Sequence, residues 1–98
     1  MELQADPSTR RLFDFLGTAP DGRVAIAEAK VARRKITRAT LVSWIAQLTD
    51  GARAFPDARL ILPITGPGLT SLAEEFATSA PIEIYLERRP GDFECQGR

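Results

Sequence analysis

The segment Ala19-Pro20-Asp21-Gly22-Arg23 constrains the fold most, because it joins two apolar stretches through a tight turn. Proline at the first central position, aspartate at the second and glycine after them suit a type I turn closed by a left-handed glycine. Such a three-residue loop connects antiparallel strands with a glycine bulge. The segment therefore predicts a hairpin, with strands at residues 10–17 and 24–31 and a turn at residues 18–23.

The turn also predicts which residues of the two strands face each other. If residues 20–22 form the loop, the numbers of paired residues add up to 42. This register opposes Asp14 and Glu28 on one side of the sheet, and Lys30 shares that side. A two-residue Asp-Gly loop would turn Asp14 to the other face. Pro20 favours the longer loop.

Two opposed carboxylates and a lysine form a candidate metal site. Facing carboxylates lower stability unless a positive charge lies between them. Mg²⁺ prefers a few carboxylate oxygens and keeps several waters, so it suits this position. A cation there could polarise a phosphate and activate a bound water, which Lys30 could orient or deprotonate. A solvated, salt-bridged surface fits the same spacing, so the pattern alone leaves both interpretations open.

Residues 38–54 are predicted to form a helix. Apolar residues recur along one face of this segment, at Leu41, Ile45, Leu48 and Ala52. Thr37 precedes the periodic run with a small hydroxyl and is the predicted N-cap. The spacing of Trp44 from the apolar residues favours packing in the core over stacking on a base.

Two more strands are predicted after this helix. Residues 58–65 form an apolar run typical of a buried strand, in which Pro63 predicts irregular hydrogen bonding. Residues 82–87 alternate apolar and acidic side chains, as a half-exposed strand does. Both strands follow helical segments, which predicts right-handed crossovers into parallel strands.

A short helix at about residues 71–79 is predicted between these strands, capped by Thr70 or by a Ser71–Glu74 capping box. Residues 1–9 are expected to be an irregular lead-in, and residues 88–98 a loose tail. The order hairpin, helix, strand, helix, strand predicts one α/β domain with a mixed sheet over residues 1–98.

Composition narrows the possible chemistry. The chain contains no histidine, which excludes histidine-activated nucleophiles and histidine-containing zinc sites. Its single cysteine, Cys95, cannot form an internal disulfide and fits a reducing cytoplasm. No apolar run approaches the ~20 residues of a membrane span. Carboxylates, lysine, hydroxyls and a hard metal ion remain as the means of catalysis.

A block of basic residues follows Lys30, although the net charge of the chain is zero. The block consists of Arg33, Arg34, Lys35 and Arg38. These side chains could neutralise DNA phosphates beside the candidate metal site. A solvated basic surface at the start of the helix is an equally good interpretation.

Residues 14–30 resemble the active-site hairpin of the PD-(D/E)xK nuclease superfamily. In that pattern a lone aspartate on one strand is followed by a hydrophobic strand ending Glu-x-Lys. Asp14 matches the aspartate, and Glu28-Ala29-Lys30 matches Glu-x-Lys. The segment from Ile61 to Thr70 is similar to the Mrr-like restriction endonuclease and Holliday-junction resolvase branch. The likeness covers roughly residues 10–87.

The resemblance implies a restriction-endonuclease-like fold and Mg²⁺-dependent hydrolysis of DNA phosphodiester bonds, with a role in restriction or defence. Asp14, Glu28 and the carbonyl of Ala29 would hold Mg²⁺, for which Mn²⁺ can substitute. Lys30 would position the attacking water. Gln47 matches an auxiliary glutamine of some relatives, although a plain surface glutamine is the favoured interpretation. Each such domain cuts one strand, so a homodimer or a larger protein is expected.

One departure from the family pattern supports a second hypothesis. The family core begins with a helix and a further strand before the aspartate strand, and only about nine residues precede Arg10. The chain is therefore expected to lack the N-terminal helix and first strand. A trimmed nuclease, a nuclease completed by a partner chain, and a non-catalytic nuclease-like module for oligomerisation or DNA binding all fit this expectation.

Overall fold

A computed structural model of the chain describes residues 2–3, 15–18 and 20–97. These residues form a mixed α/β fold in which one seven-stranded sheet carries two helices. The elements are β1 (Glu2–Leu3), β2 (Phe15–Thr18), β3 (Val24–Ala27), β4 (Lys30–Val31), α1 (Arg38–Gly51), β5 (Arg59–Thr65), α2 (Ser71–Ala77), β6 (Glu83–Arg89) and β7 (Asp92–Gly97). The order across the sheet is β1-β2-β3-β5-β6-β7, and β4 also pairs with β5.

Strands β2 and β3 form the predicted antiparallel hairpin. The residue numbers of every pair add up to 42, and Leu16 faces Ile26 as predicted. Gly22 has a φ of 86°, in the left-handed region that the turn requires. The backbone N–H of Arg23 donates to the carboxylate of Asp21 at 3.0 Å, which braces the turn from within. The predicted register is therefore confirmed for the described pairs.

Strands β3, β5 and β6 are parallel and are linked through the two helices. Both crossovers proceed in the same direction across the sheet, so right-handed connections bring both helices to one face. Alternate strand residues, among them Ile26, Leu62 and Ile84, are buried there in one cluster with helix residues Leu41 and Leu48. The core thus lies between this helix-bearing face and the helices.

Pro63 interrupts the pairing beside β5, as the sequence predicts. Strands β3 and β4 pair with β5 in the same register, since Ala27 is opposite Ile61 and Lys30 is opposite Ile64. In this register Pro63 is opposite Ala29. Proline has no amide hydrogen to donate to the adjacent strand. Strand pairing therefore pauses between β3 and β4, although the N–H of Glu28 still donates to the carbonyl of Ile61 at 3.1 Å.

The helices begin where their capping residues predict. The hydroxyl of Thr37 accepts from the backbone N–H of Thr40, and that of Thr70 accepts from Ala73, each at 3.3 Å. Helix α1 ends at Gly51 rather than at residue 54, and its predicted apolar face is buried. No helix among the described residues is long and apolar enough to cross a membrane.

The sequence predicts an irregular lead-in without a first strand, and this prediction is wrong for the first residues of the lead-in. Glu2 pairs with Thr18, so β1 extends the sheet beyond β2, and Thr18 belongs to a strand rather than to the turn. A short edge strand needs only a few residues, which the lead-in can supply. Residues 4–14 lie outside the described residues, so the predicted absence of a helix there is not tested.

The expectation of a loose tail is also wrong. Strand β6 continues to Arg89 and turns back into β7, which pairs with it in antiparallel fashion. Gly91 has a φ of 79°, and the Pro90-Gly91 dipeptide is typical of such turns. The dipeptide therefore predicts a second hairpin. A turn at this point brings the chain back beside β6, where the two strands can form hydrogen bonds with each other.

We expect Leu62→Ala to destabilise the protein by about 2–5 kcal/mol, because Leu62 is fully buried on the central strand and its loss leaves a cavity. Leu72→Ala is the matched control, since Leu72 is 65% exposed and its truncation should cost less than about 0.5 kcal/mol. Equilibrium unfolding in urea measures both. Equal losses would contradict the assigned core.

Candidate functional site

Glu28 and Lys30 lie where β3 gives way to β4, near the carboxyl ends of the parallel strands. Open α/β sheets bind their ligands at this edge, because the strand ends and the loops that follow them form a crevice there. Both residues alternate with Ile26, whose side chain is buried among the helices. They therefore belong to the helix-bearing face.

The side chains of Glu28 and Lys30 are in contact. The Lys30 Nζ lies 3.5 Å from Glu28 Oε1, and the two side chains are 23% and 21% exposed. An ion pair at this degree of exposure is partly withdrawn from water, so it is screened less than a surface pair. The Glu-x-Lys spacing thus brings a carboxylate and an ammonium group together on one face of the sheet.

Trp44 is the third side chain at this position. The Lys30 Nζ lies 5.5 Å from the centroid of the indole ring, within the range of a cation–π interaction. The ring also packs against the core, as predicted from its spacing on α1. Its contact with Lys30 has no signal in the sequence, because it depends on how α1 crosses the sheet.

Asp14 lies outside the described residues, and its predicted pairing with Glu28 is not tested. Among the described residues there is no group of three or more His, Cys, Asp or Glu side chains placed to hold a metal ion. The partly exposed carboxylate of Glu28 is a suitable ligand for a hard cation, and Ala29 lies beside it in the pause between the strands. A complete Mg²⁺ site here would need the carboxylate of Asp14.

The basic residues 33–35 lie in an exposed loop at the same edge of the sheet. The N–H of Ala32 donates to the carbonyl of Thr65 at 2.8 Å, and that of Ile36 donates to Gly68 at 2.9 Å, so both ends of the loop are held. Within the described part of the chain, none of the three cations forms an ion pair. The loop therefore presents three positive charges from a restrained backbone.

Close packing of the next loop supports this restraint. A side chain at Gly66 would bring its Cβ within 2.7 Å of the carbonyl oxygen of Ala32, so only glycine allows this approach. Gly68, whose carbonyl accepts from the basic loop, has a φ of 123°. The segment Gly66-Pro67-Gly68 thus supports the basic loop from the side.

The other two predicted site residues occupy different surroundings on α1. The guanidinium of Arg38 lies 5.4 Å from the ring centroid of Phe76, so it bridges the two helices while remaining exposed. Gln47 is exposed and lines a shallow groove between the helices together with Val42 and Phe76. This position agrees with the plain surface glutamine that the sequence favours.

A second polar cluster, which the sequence analysis missed, lies at the amino ends of β5 and β6. The guanidinium of Arg59 donates two hydrogen bonds to the carboxylate of Glu83, at 2.7 and 2.9 Å, and the hydroxyl of Tyr85 donates a third at 2.9 Å. These residues line or adjoin a cavity of about 550 Å³. Alternation along the two strands puts them on the face opposite the helices.

The side chains in this cluster shift one another's pKa values. Hydrogen bonds from Arg59 hold the pKa of Glu83 below its usual value, and the carboxylate in turn raises the pKa of Arg59. Burial, together with the hydrogen bond to Glu83, raises the pKa of Tyr85. Since two N–H groups of Arg59 are directed at the carboxylate of Glu83, the cluster joins β5 to β6 through a charge-assisted pair.

Comparisons of the chain with known protein families, with curated proteins and with solved structures found no match.

We expect the free energy of unfolding of Glu83→Gln to fall less than that of the wild type as the pH is lowered. The pKa of Glu83 is lower in the folded protein than the ordinary 4.5, so its pairing stabilises the fold above that pH and is lost as the pH falls below it. Urea unfolding between about pH 6 and pH 3 measures the effect. Asp50→Asn, which breaks the exposed Asp50–Arg53 pair, is the control and should leave the slope nearly unchanged. Parallel profiles for wild type and Glu83→Gln would refute the assignment.

Proposed function

We propose that the chain is a Mg²⁺-dependent endonuclease domain of the PD-(D/E)xK type, which hydrolyses DNA phosphodiester bonds in restriction or defence. The observation that carries this proposal is the contact between Lys30 and Glu28 on the helix-bearing face at the carboxyl ends of the parallel strands. The mixed sheet, built from a hairpin followed by helix-linked parallel strands, supports the proposal because it has the order of elements expected after the aspartate strand.

The hairpin register supports a role for Asp14. The described pairs end with Phe15 opposite Ala27, and one further pair in the same register would oppose Asp14 and Glu28. In the proposal these two carboxylates and the carbonyl of Ala29 hold Mg²⁺ or Mn²⁺. The cation supplies Lewis-acid polarisation of the phosphate and a water of lowered pKa.

In the proposal, Lys30 supplies a second positive charge beside that of the metal ion. Its ammonium group has three donors, and among the described residues one of them is directed at Glu28, which leaves donors that could face an attacking water or a phosphate oxygen. Negative charge builds up on the phosphate during hydrolysis, and a donor already in place stabilises that charge. The partial burial of Lys30 strengthens the effect, because little water screens it.

The basic loop 33–35 and Arg38 are proposed to contact DNA phosphates. Phosphate contacts position a duplex without reading its sequence, and exposed cations at the edge of a site are suited to that task. Cleavage of both strands would take two copies of the chain, or a larger protein that contains it. The single cysteine, Cys95, is consistent with action in the reducing cytoplasm.

A non-catalytic nuclease-like module for oligomerisation or DNA binding is the second candidate. It is favoured by the finding that the described residues contain no group of three metal-ligating side chains. In this case the contact between Glu28 and Lys30 is a partly buried ion pair that supports the sheet. The two candidates differ in two properties, since only the nuclease binds Mg²⁺ and cleaves DNA.

We expect the purified chain to nick supercoiled plasmid in Mg²⁺ or Mn²⁺. Asp14→Ala, Glu28→Ala and Lys30→Ala should each lower the rate by roughly 100-fold or more, because each removes a charge that acts on the reacting phosphate. Asp57→Ala, which removes an exposed carboxylate elsewhere, is the control and should keep the wild-type rate. Wild-type protein that neither nicks DNA nor binds Mg²⁺ in a calorimetric titration would favour the non-catalytic module.

We expect the double variant Arg33→Ala/Arg34→Ala to bind duplex DNA more weakly and with less dependence on salt. Each lost phosphate contact should reduce the slope of log K against log salt by about one. Fluorescence anisotropy of a labelled duplex in EDTA measures this without cleavage. Arg88→Ala/Arg89→Ala is the matched control, since both arginines are exposed but paired with carboxylates. Equal slopes for the two double variants would exclude the basic loop from the interface.

A further inference from the structure

We infer that Trp44 is a positioning residue for Lys30, and that its indole ring keeps the ammonium group at the site when Glu28 is engaged by a cation. The inference rests on the proposed nuclease function. It follows from a juxtaposition of three side chains, in which the Lys30 Nζ lies 3.5 Å from Glu28 Oε1 and 5.5 Å from the centroid of the Trp44 ring.

The ion pair alone is a weak restraint on Lys30. A lysine side chain has a flexible four-carbon stem, and holding it in one conformation costs considerable rotamer entropy. The contact with Glu28 lies at the long end of the hydrogen-bond range, at 3.5 Å. A second attraction is therefore needed to define where the ammonium group lies.

A metal ion at Glu28 would weaken the ion pair further. The oxygens that bind a divalent cation are the same ones that attract Lys30, and the cation itself repels the ammonium group. The indole ring attracts Lys30 through its quadrupole and offers no oxygen to the metal. Trp44 therefore holds Lys30 in the state in which Glu28 cannot, and this is the state in which catalysis would occur.

The ring is well placed to act as a fixed reference. Trp44 lies on α1 and packs against the core that Leu41 and Leu48 anchor, so its position is set by a helix rather than by a loop. Lys30 is only 23% exposed, and partial desolvation strengthens a cation–π interaction relative to one at the surface. The pair thus links α1 directly to the strand that carries the candidate site.

The composition of the chain allows a direct test. It has one tryptophan and two lysines, Lys30 and Lys35. In protein labelled with ¹³C-lysine, the ring current of Trp44 should shift the ε-CH₂ signal of Lys30 upfield of that of Lys35, and the shift should persist in saturating Mg²⁺. Trp44→Leu should abolish the shift, Trp44→Phe should retain part of it, and Phe93→Leu, which changes an exposed aromatic on β7, should leave it unchanged.

Plasmid cleavage then tests the consequence. Trp44→Leu should lower kcat roughly threefold to tenfold, the range of a partly buried cation–π contact, with KM within about a factor of two. Trp44→Phe should restore most of the loss, and Phe93→Leu should keep the wild-type kcat. Urea unfolding of each variant ensures that folded proteins are compared.

Two outcomes would overturn the inference: a Lys30 signal that is the same in wild type and Trp44→Leu, or a wild-type kcat in Trp44→Leu despite a displaced signal. A wild-type chain that does not cleave DNA would instead defeat the proposed function. In that event the Lys30 signal still tests the contact between Lys30 and Trp44. Loss of the upfield shift in Trp44→Leu would support the contact, and an unchanged signal would refute it.

Discussion

The register of the β2–β3 hairpin is the constraint on which the rest of the structure depends. Side chains alternate across a strand, so a slip of one residue would exchange the two faces of β3 and remove Ile26 from the cluster that it forms with the helices. The left-handed Gly22 selects the turn that prevents this slip. With Ile26 committed to the core, Glu28 and Lys30 necessarily share the helix-bearing face, and the chemistry proposed for them follows from a backbone requirement a few residues away.

The central strand β5 connects this hairpin to the rest of the sheet and also shapes the site. Its proline, Pro63, cannot donate a hydrogen bond, and the adjacent strand pauses level with it at Glu28 and Ala29. Glu28 and Lys30 thus lie where β3 gives way to β4, next to the restrained basic loop 33–35.

Most of the predictions that held depend on neighbouring residues, and the parallel pairing of β3, β5 and β6 agrees with the predicted order of elements. The left-handed glycine of the turn, the N-caps Thr37 and Thr70, and the buried face of α1 are all short-range features. The predictions that failed concern pairing between distant segments or a turn that was overlooked. The lead-in pairs with a strand more than ten residues later, and the supposed tail folds back at Pro90-Gly91, a dipeptide typical of turns.

The sequence by itself determined the hairpin register, the helix faces and the presence of a carboxylate and a lysine on one side of a strand, because periodicity and turn chemistry act over a few residues. Only the tertiary structure decided that Trp44 covers Lys30 and that Arg59 meets Glu83. These contacts join residues brought together by crossovers of the chain. Their geometry depends on how whole elements pack, which no local pattern specifies.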